Sequence, residues 1–492
     1  MIAFLLLTAA TPVLSVPAAV LDDDRATLSG ARLAWPEGTD LRLEDRGSEL
    51  VVRSERAIGE DRIAAFREAA GAAIGELRWN DDSLVLRASP GWSMRWRRVG
   101  AVVIVAFGAT AGDASADPTD PADDTHDVAL AAIQADAAAG YPGRARRAAA
   151  MLAAADPADS QAARMLADTQ VAAGDVRGAA RGYRALRAQD RTARRTMAAA
   201  AGIASIGVTA RDGSDLSQAE FGARIDAAIG DRLSAGGGVR NIASRVATLG
   251  PDEKVGETVI DASVAAALGD AVRLQLLASA ALDDRVTGGG AKLTAGSPEA
   301  QVRATLLRHM PDYSTPAQVL AGGYLSRATA GITYRLTPGL VGQVDAGWNR
   351  YGLAGMAAAS DTITASGGLD YTLRRQFPTL GLSYRFEAEY VERMRVDADG
   401  RALVSLATRE NHTLQGVVGG LIGAVQLTGL AGWTVDRFGG DGPTASVGLA
   451  APIGIAWRVE GGAGVTSVSR PGFSGTQLFA RAQVSRALGD GK

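Results

Sequence analysis

The sequence predicts a multidomain chain: a small α+β N-terminal domain, α-helical hairpins of tetratricopeptide type, and a C-terminal antiparallel transmembrane β-barrel of about 16 strands. Three observations predict it. Apolar and polar residues alternate with a period of two across residues 201–488. A 34-residue repeat lies in the Ala-rich stretch just before. Three short hairpin patterns surround one amphipathic helix in residues 22–110.

Composition sets the outer limits. The 492 residues carry 51 Lys+Arg against 54 Asp+Glu, and a net charge of −3 gives no electrostatic footprint for nucleic acid. With no Cys, disulfides, thiolate metal sites and thiol catalysis are excluded. His126, His309 and His412 are the only histidines and lie far apart, so neither a metal centre nor a cofactor is expected. Mean hydropathy is +0.04, and no apolar run is long enough for a spanning helix. Sixty Gly and mild overall hydrophobicity fit a membrane barrel.

In chain order, residues 1–18 read as a signal peptide, with an apolar core followed by Val16-Pro17-Ala18. In residues 22–110, Leu41–Ser54 and Glu76–Ser89 are each two strands about a polar turn, and Met94–Val99 pairs with Ala101–Phe107. Between them Ile63, Phe66, Ala70 and Ile74 share one helical face. Residues 111–127 are rich in Ala, Asp, Pro and Thr and read as a linker.

Residues 128–200 hold the repeat. Gly140 aligns with Gly174, Ala145 with Ala179, and Ala149 with Tyr183. Glycine permits the tight reversal, alanine lets helices approach closely, and Tyr183 is the expected knob between them. The stretch is expected to pack internally and dock partner proteins.

From residue 201 to 488 the strands are long and follow one another without helices. In Gly381–Val396, Leu382, Tyr384, Phe386, Ala388 and Tyr390 share one face; Arg385, Glu387, Glu389, Arg393 and Arg395 share the other. In Leu340–Asn349, Gln343 and Asp345 oppose Val344, Ala346 and Trp348, and in the last strand Arg481 opposes Leu478 and Ala480. In a barrel the apolar face meets outer-membrane lipid and the charged face lines the lumen, adding Arg409-Glu410 to that lining. Trp348, Tyr351, Tyr390, Trp433, Trp457 and Phe479 lie near strand ends, as interfacial girdles require.

Chemistry is not expected. Glu387 and Glu389 are about 7 Å apart along a strand, but the neighbouring arginines keep both ionised and leave no general acid. The glycine-rich runs lack a Walker lysine.

This order of parts resembles the outer-membrane exopolysaccharide export porins of the cellulose, poly-N-acetylglucosamine and Pel types, over residues 126–488. The hairpin layout of residues 22–110 resembles AMIN-type periplasmic domains. The resemblance implies an outer-membrane location with periplasmic N-terminal domains and a polysaccharide passing through a charged lumen. It also implies helices that dock envelope proteins, and peptidoglycan contact by the first domain. A protein-export device and a structural anchor remain alternatives.

Overall fold

The computed structural model describes residues 29–35, 41–45, 49–54, 63, 66–67, 70–79, 83–89, 92–99, 102–109 and 121–490, apart from 248–250, 376 and 472–474. The expected signal peptide lies outside them. The chain divides into two compact units, residues 16–126 and a second that holds 127–492.

In the first unit, β2 (Leu41–Asp45), β3 (Glu49–Ser54), β4 (Ile74–Trp79) and β5 (Ser83–Ala88) form a sheet in the order β2-β3-β5-β4. A second sheet runs β1 (Ser29–Ala34), β7 (Val102–Ala109), β6 (Trp92–Val99). Alternation sends Leu50, Val52, Leu84, Leu86, Val103 and Val105 into one core with Ile63, Phe66 and Ala70 of the predicted helical face. Ile74, expected on that helix, instead opens β4 after a 3-10 turn at Gly71–Ala73.

The expected linker ends early: residues 121–127 are the first turns of α1 (Pro121–Ala138), where the leading proline suits a helix start. Then follow α2 (Pro142–Ala155), α3 (Ser160–Ala172), α4 (Val176–Ala185) and α5 (Arg191–Ala200). Gly140 and Gly174, 34 residues apart, both turn the chain at positive φ, +88° and +83°. Asp159, Asp175 and Asp190 cap α3, α4 and α5 through their side chains. Ala145, Ala179 and Tyr183 are fully buried. They pack the hairpins and are not exposed to dock a partner. The Tyr183 hydroxyl donates to Asp168 at 2.6 Å, and burial together with that carboxylate pushes its pKa up.

Sixteen strands then close a barrel in chain order, with β23 pairing back to β8. They are β8 (Gly202–Asp212), β9 (Leu216–Ala228), β10 (Leu233–Val246), β11 (Glu253–Ala267), β12 (Val272–Ala281), β13 (Thr287–Ser297), β14 (Ala300–Pro311) and β15 (Gly323–Thr337). Next come β16 (Leu340–Leu353), β17 (Ser360–Arg374), β18 (Thr379–Met394), β19 (Arg409–Ile422), β20 (Val425–Asp436), β21 (Asp441–Ile453), β22 (Trp457–Thr466) and β23 (Gln477–Ala487). Every pairing is antiparallel.

Closure removes every sheet edge, so all backbone groups in a lipid phase are paired within the wall. Large apolar side chains point outward around it: Ile206, Phe221, Val239, Leu306, Val344, Leu414 and Val447 are exposed. Inward positions carry the ion pairs Arg224–Asp226, Arg240–Asp261, Arg303–Asp345 and Arg385–Asp370. An apolar exterior over a polar interior defines a transmembrane barrel of the outer-membrane type.

Candidate translocation path

On three adjacent strands the register places Gln343 beside Gly368 and Gly368 beside Arg385. A Cβ on Gly368 would lie 2.6 Å from the Arg385 guanidinium and 3.1 Å from Gln343, so both side chains lean over the glycine from the inner face. Arg385 also donates to Asp370 at 2.7 and 2.8 Å. Asp345 accepts from Arg303 at 3.0 Å. Arg481 is exposed and faces Gly462 of β22. Ser366, beside both Asp345 and Glu387, continues this polar wall.

Glu389 is the most enclosed of the expected carboxylates, at 4% exposure. It accepts from Asn349 at 3.2 Å, Tyr351 at 2.7 Å and Thr362 at 2.6 Å, and pairs with Arg409. Four neutral or cationic donors hold this carboxylate in place. It braces the wall rather than facing the open lumen. Glu387, two residues earlier, pairs with Arg470 of the β22–β23 loop at 3.4 Å. That contact reaches from one part of the barrel to another, because three strands lie between β18 and β22.

The structure corrects five expectations. A bulge opposite Asp361/Thr362 makes Glu392 the extra residue, so Arg393 pairs with Asp361 while Val391 pairs with Thr362. Thr362 bonds Glu389 inside; Asp361 therefore lies on the opposite face, with Arg350 and Arg393 as its partners. Arg393 thus leaves the lumen set, on the face of Trp348, whose ring sits under Arg350 at 4.8 Å. Arg395 lies beyond β18, in the loop, and is exposed.

Glu410 stands opposite Ala388, out of phase with Arg409, and accepts from the outward Tyr390 at 2.6 Å. Among the expected girdle aromatics, Tyr351 points inward to Glu389, and Phe479 faces Gly464 on the inner side; Trp433 and Trp457 are exposed outside.

Sequence reading missed how the two ends are built. At the end away from the helices, the β14–β15 connection carries α6 (Pro316–Ala321) and folds onto the inner wall. Val319 and Tyr313 join Leu216, Ile242 and Val259 from β9, β10 and β11 in one apolar cluster. Gln218 donates to Ser244 at 3.1 Å and to the Tyr313 carbonyl at 2.7 Å, tying loop to wall. Val404 and Leu406 of the β18–β19 loop pack on Leu325, Tyr351 and Leu353. Ser469 and Asn411 exchange two hydrogen bonds, at 3.0 and 3.1 Å. Three connections therefore fold inward and narrow this mouth. The signal was present in apolar residues at inward positions of β10 and β11, Ile242, Val246 and Val259.

At the other rim the helices seat on the barrel turns. Glu299, between β13 and β14, accepts the Gly143 and Arg144 amides at 3.0 and 2.9 Å and caps the start of α2. Arg335 stacks over Tyr141 at 6.0 Å, and Arg375 donates to the Ala138 carbonyl at 3.2 Å. Arg177 of α4 donates to the carbonyls of Gly230, Asp231 and Leu233 at 2.9–3.3 Å. On α5, Arg195 donates twice to the Gly454 carbonyl, at 3.0 and 2.9 Å.

No protein-family profile and no curated protein sequence matches the chain. Among solved structures it is similar to a bacterial polysaccharide outer membrane secretin, at 9% identity and a TM-score of 0.44, covering 58% of this chain and 98% of that one. It is also similar to OccK11 (OpdR) of Pseudomonas aeruginosa, at 12% identity and a TM-score of 0.33, covering 58% and 94%. For the translocator domain of the autotransporter NalP from Neisseria meningitidis the values are 14%, 0.27, 66% and 99%. The class is that of a β-barrel of the outer-membrane type, as the closed sheet and its two faces define it.

Proposed function

We propose that this barrel exports an extracellular polysaccharide across the outer membrane, through its lumen and without chemistry on the cargo. In this reading the helices face the periplasm and meet partner proteins at surfaces other than the buried repeat positions. The N-terminal domain contacts the cell wall.

The observation that carries the reading is the inner wall of β14–β18. Arg303–Asp345 and Arg385–Asp370 place both charge signs beside Gln343 and Ser366. Sugar hydroxyls donate and accept, so such a wall offers many weak, exchangeable hydrogen bonds along which a chain can slide. Arg470–Glu387 holds a loop at the narrowed mouth.

Reversing Glu387 to Lys should reduce surface polymer in the native host while the barrel still assembles with heat-modifiable mobility. Unchanged surface polymer in a correctly assembled variant would leave the wall charges as internal braces and favour the anchor reading.

A further inference from the structure

Charge on the inner wall does not balance along the middle of the barrel. Asp226, Asp261, Asp345 and Asp370 are each matched by an arginine, from Arg224, Arg240, Arg303 and Arg385 in turn. Three inner cations are left over. Lys292, Arg327 and Arg481 make no ion pair among the described residues.

Lys292 is the middle residue of β13. It stands beside Thr305, which alternation puts on the same face of β14 as Arg303. The charges that act on it are Arg224 and Arg327, both cations. Arg327 stands opposite Asn349 and donates to its neutral amide oxygen at 2.7 Å. Arg481 of β23 leans over Gly462, where a Cβ would lie 3.8 Å from its Nε. The nearest further acids are spoken for: Glu387 pairs with Arg470 and Glu389 with Arg409. At the loop-filled mouth, Glu257 accepts the Asp283 and Asp284 amides, both at 3.1 Å.

On the other side of the closed sheet the wall carries no charge over its whole middle. Val417, Leu430 and Ser446 stand in one row of β19–β21, and Gly419, Thr428 and Gly448 in the next. Small and neutral side chains leave space there and neither attract nor repel an ion. Field lines from the three leftover cations are therefore not cancelled across the lumen, and a confined pore with low-dielectric walls concentrates them. Such a pore disfavours a cationic chain and draws in an anionic one.

The spacing narrows the ligand further. The three cations lie on separate strands, β13, β15 and β23, and each offers a single contact. Singly charged groups repeated along a chain fit that arrangement better than one multiply charged group held by a cluster. Contacts of this kind are weak and screened by solvent, so each can be exchanged for the next.

We propose that the exported polymer is an acidic polysaccharide whose repeat carries carboxylates, met in turn by Lys292, Arg327 and Arg481 while its sugar rings pass over the uncharged wall of β19–β21. The inference rests on the transport reading and names the class of polymer for it.

The test is single-channel recording of the full chain in planar bilayers, with oligogalacturonate as the acidic probe and a cello-oligosaccharide of equal length as the neutral one. The open channel should prefer chloride to potassium. Oligogalacturonate should block it where the neutral probe does not, and the block should weaken as salt rises. K292Q/R327Q should raise the half-blocking concentration of oligogalacturonate about tenfold, with heat-modifiable mobility intact. R481Q should weaken the block in the same direction. Equal block by the two probes, or a block indifferent to these substitutions, overturns the acidic polymer and leaves a conducting passage standing. Chloride preference without any block by oligogalacturonate shows that the cations serve small ions only and overturns it likewise. A correctly folded chain that conducts nothing overturns the transport reading and this inference with it. If the double variant does not assemble, K292Q alone carries the same readout, and an unchanged block again overturns the proposal.

Discussion

Replacing Tyr183 by Ala should unfold the helical segment well before the barrel. The side chain is fully buried, and its neighbours in the cluster are Ala167, Ala179, Ala180, Ala193 and Met197. Four of these five are alanines with nothing to extend into the space, so the cavity cannot collapse. The cost should lie at the upper part of about 3–5 kcal/mol. Tyr183→Phe keeps the ring and loses only the hydroxyl. Asp168 then still holds Arg164 at 3.1–3.2 Å, so the loss should be about 1–1.5 kcal/mol.

For a unit of this size each kcal/mol moves a melting midpoint by about 4–8 °C. The Ala variant should therefore lower the helical transition by more than about 12 °C, and the Phe variant by less than about 12 °C. The assay is far-UV circular dichroism at the helical band of the full chain in detergent, with the barrel transition as internal control. Equal shifts for the two variants, or none for either, would refute the packing described for Tyr183.

Three further outcomes follow from named contacts. Glu299→Ala should free the first turn of α2 at a cost of about 0.5–2 kcal/mol, seen as faster amide exchange at Gly143 and Arg144 with the barrel unchanged. Gln218→Ala should loosen the β14–β15 loop, because Ser244 and the Tyr313 carbonyl lose a buried donor; exchange should rise in residues 312–322 and not in the opposite turns. The hydrogen bond from Arg164 holds the Asp190 carboxyl below its ordinary value of 3.8. Its contribution is present above that value and is lost as pH falls further, so acid titration below 3.8 should weaken the helices in the wild type and less in Asp190→Asn.

How much was legible depended on whether the deciding interaction is local. Two-residue alternation gave the barrel and its faces, because one face must meet lipid and the other water. The register has Arg385, Glu387 and Glu389 on one side of β18, with Gly368, Ser366 and Thr364 beside them. The alternation failed at Arg393 because one bulged residue, Glu392, flips the parity of all that follows. No feature of the residue types announces that bulge. Glu410 failed for a simpler reason: as a neighbour of Arg409 on the same strand it must face the other way. Tyr351 and Phe479 look like girdle residues by position, but only cross-strand register shows which face a strand-end aromatic takes.

The helices before the barrel and their turns at Gly140 and Gly174 were readable because glycine at a left-handed turn and alanine at a close approach are local demands. The loops folding into one mouth, and the helices meeting the other rim, depend on contacts between residues tens to hundreds of positions apart. Glu299 capping α2 and Arg195 on the Gly454 carbonyl are of this kind, and neither is encoded in a spacing.

The central claim is that the lumen is a passage whose wall charges face what passes. Single-channel recording of the full chain in planar bilayers tests it most directly, comparing wild type with Glu387→Lys and with Arg393→Glu as the outward control. Discrete channels should appear. Glu387→Lys should shift ion preference toward anions and, by releasing Arg470, raise conductance, while Arg393→Glu leaves both unchanged. Correctly folded protein that conducts nothing, or conductance and preference indifferent to Glu387, would contradict the account.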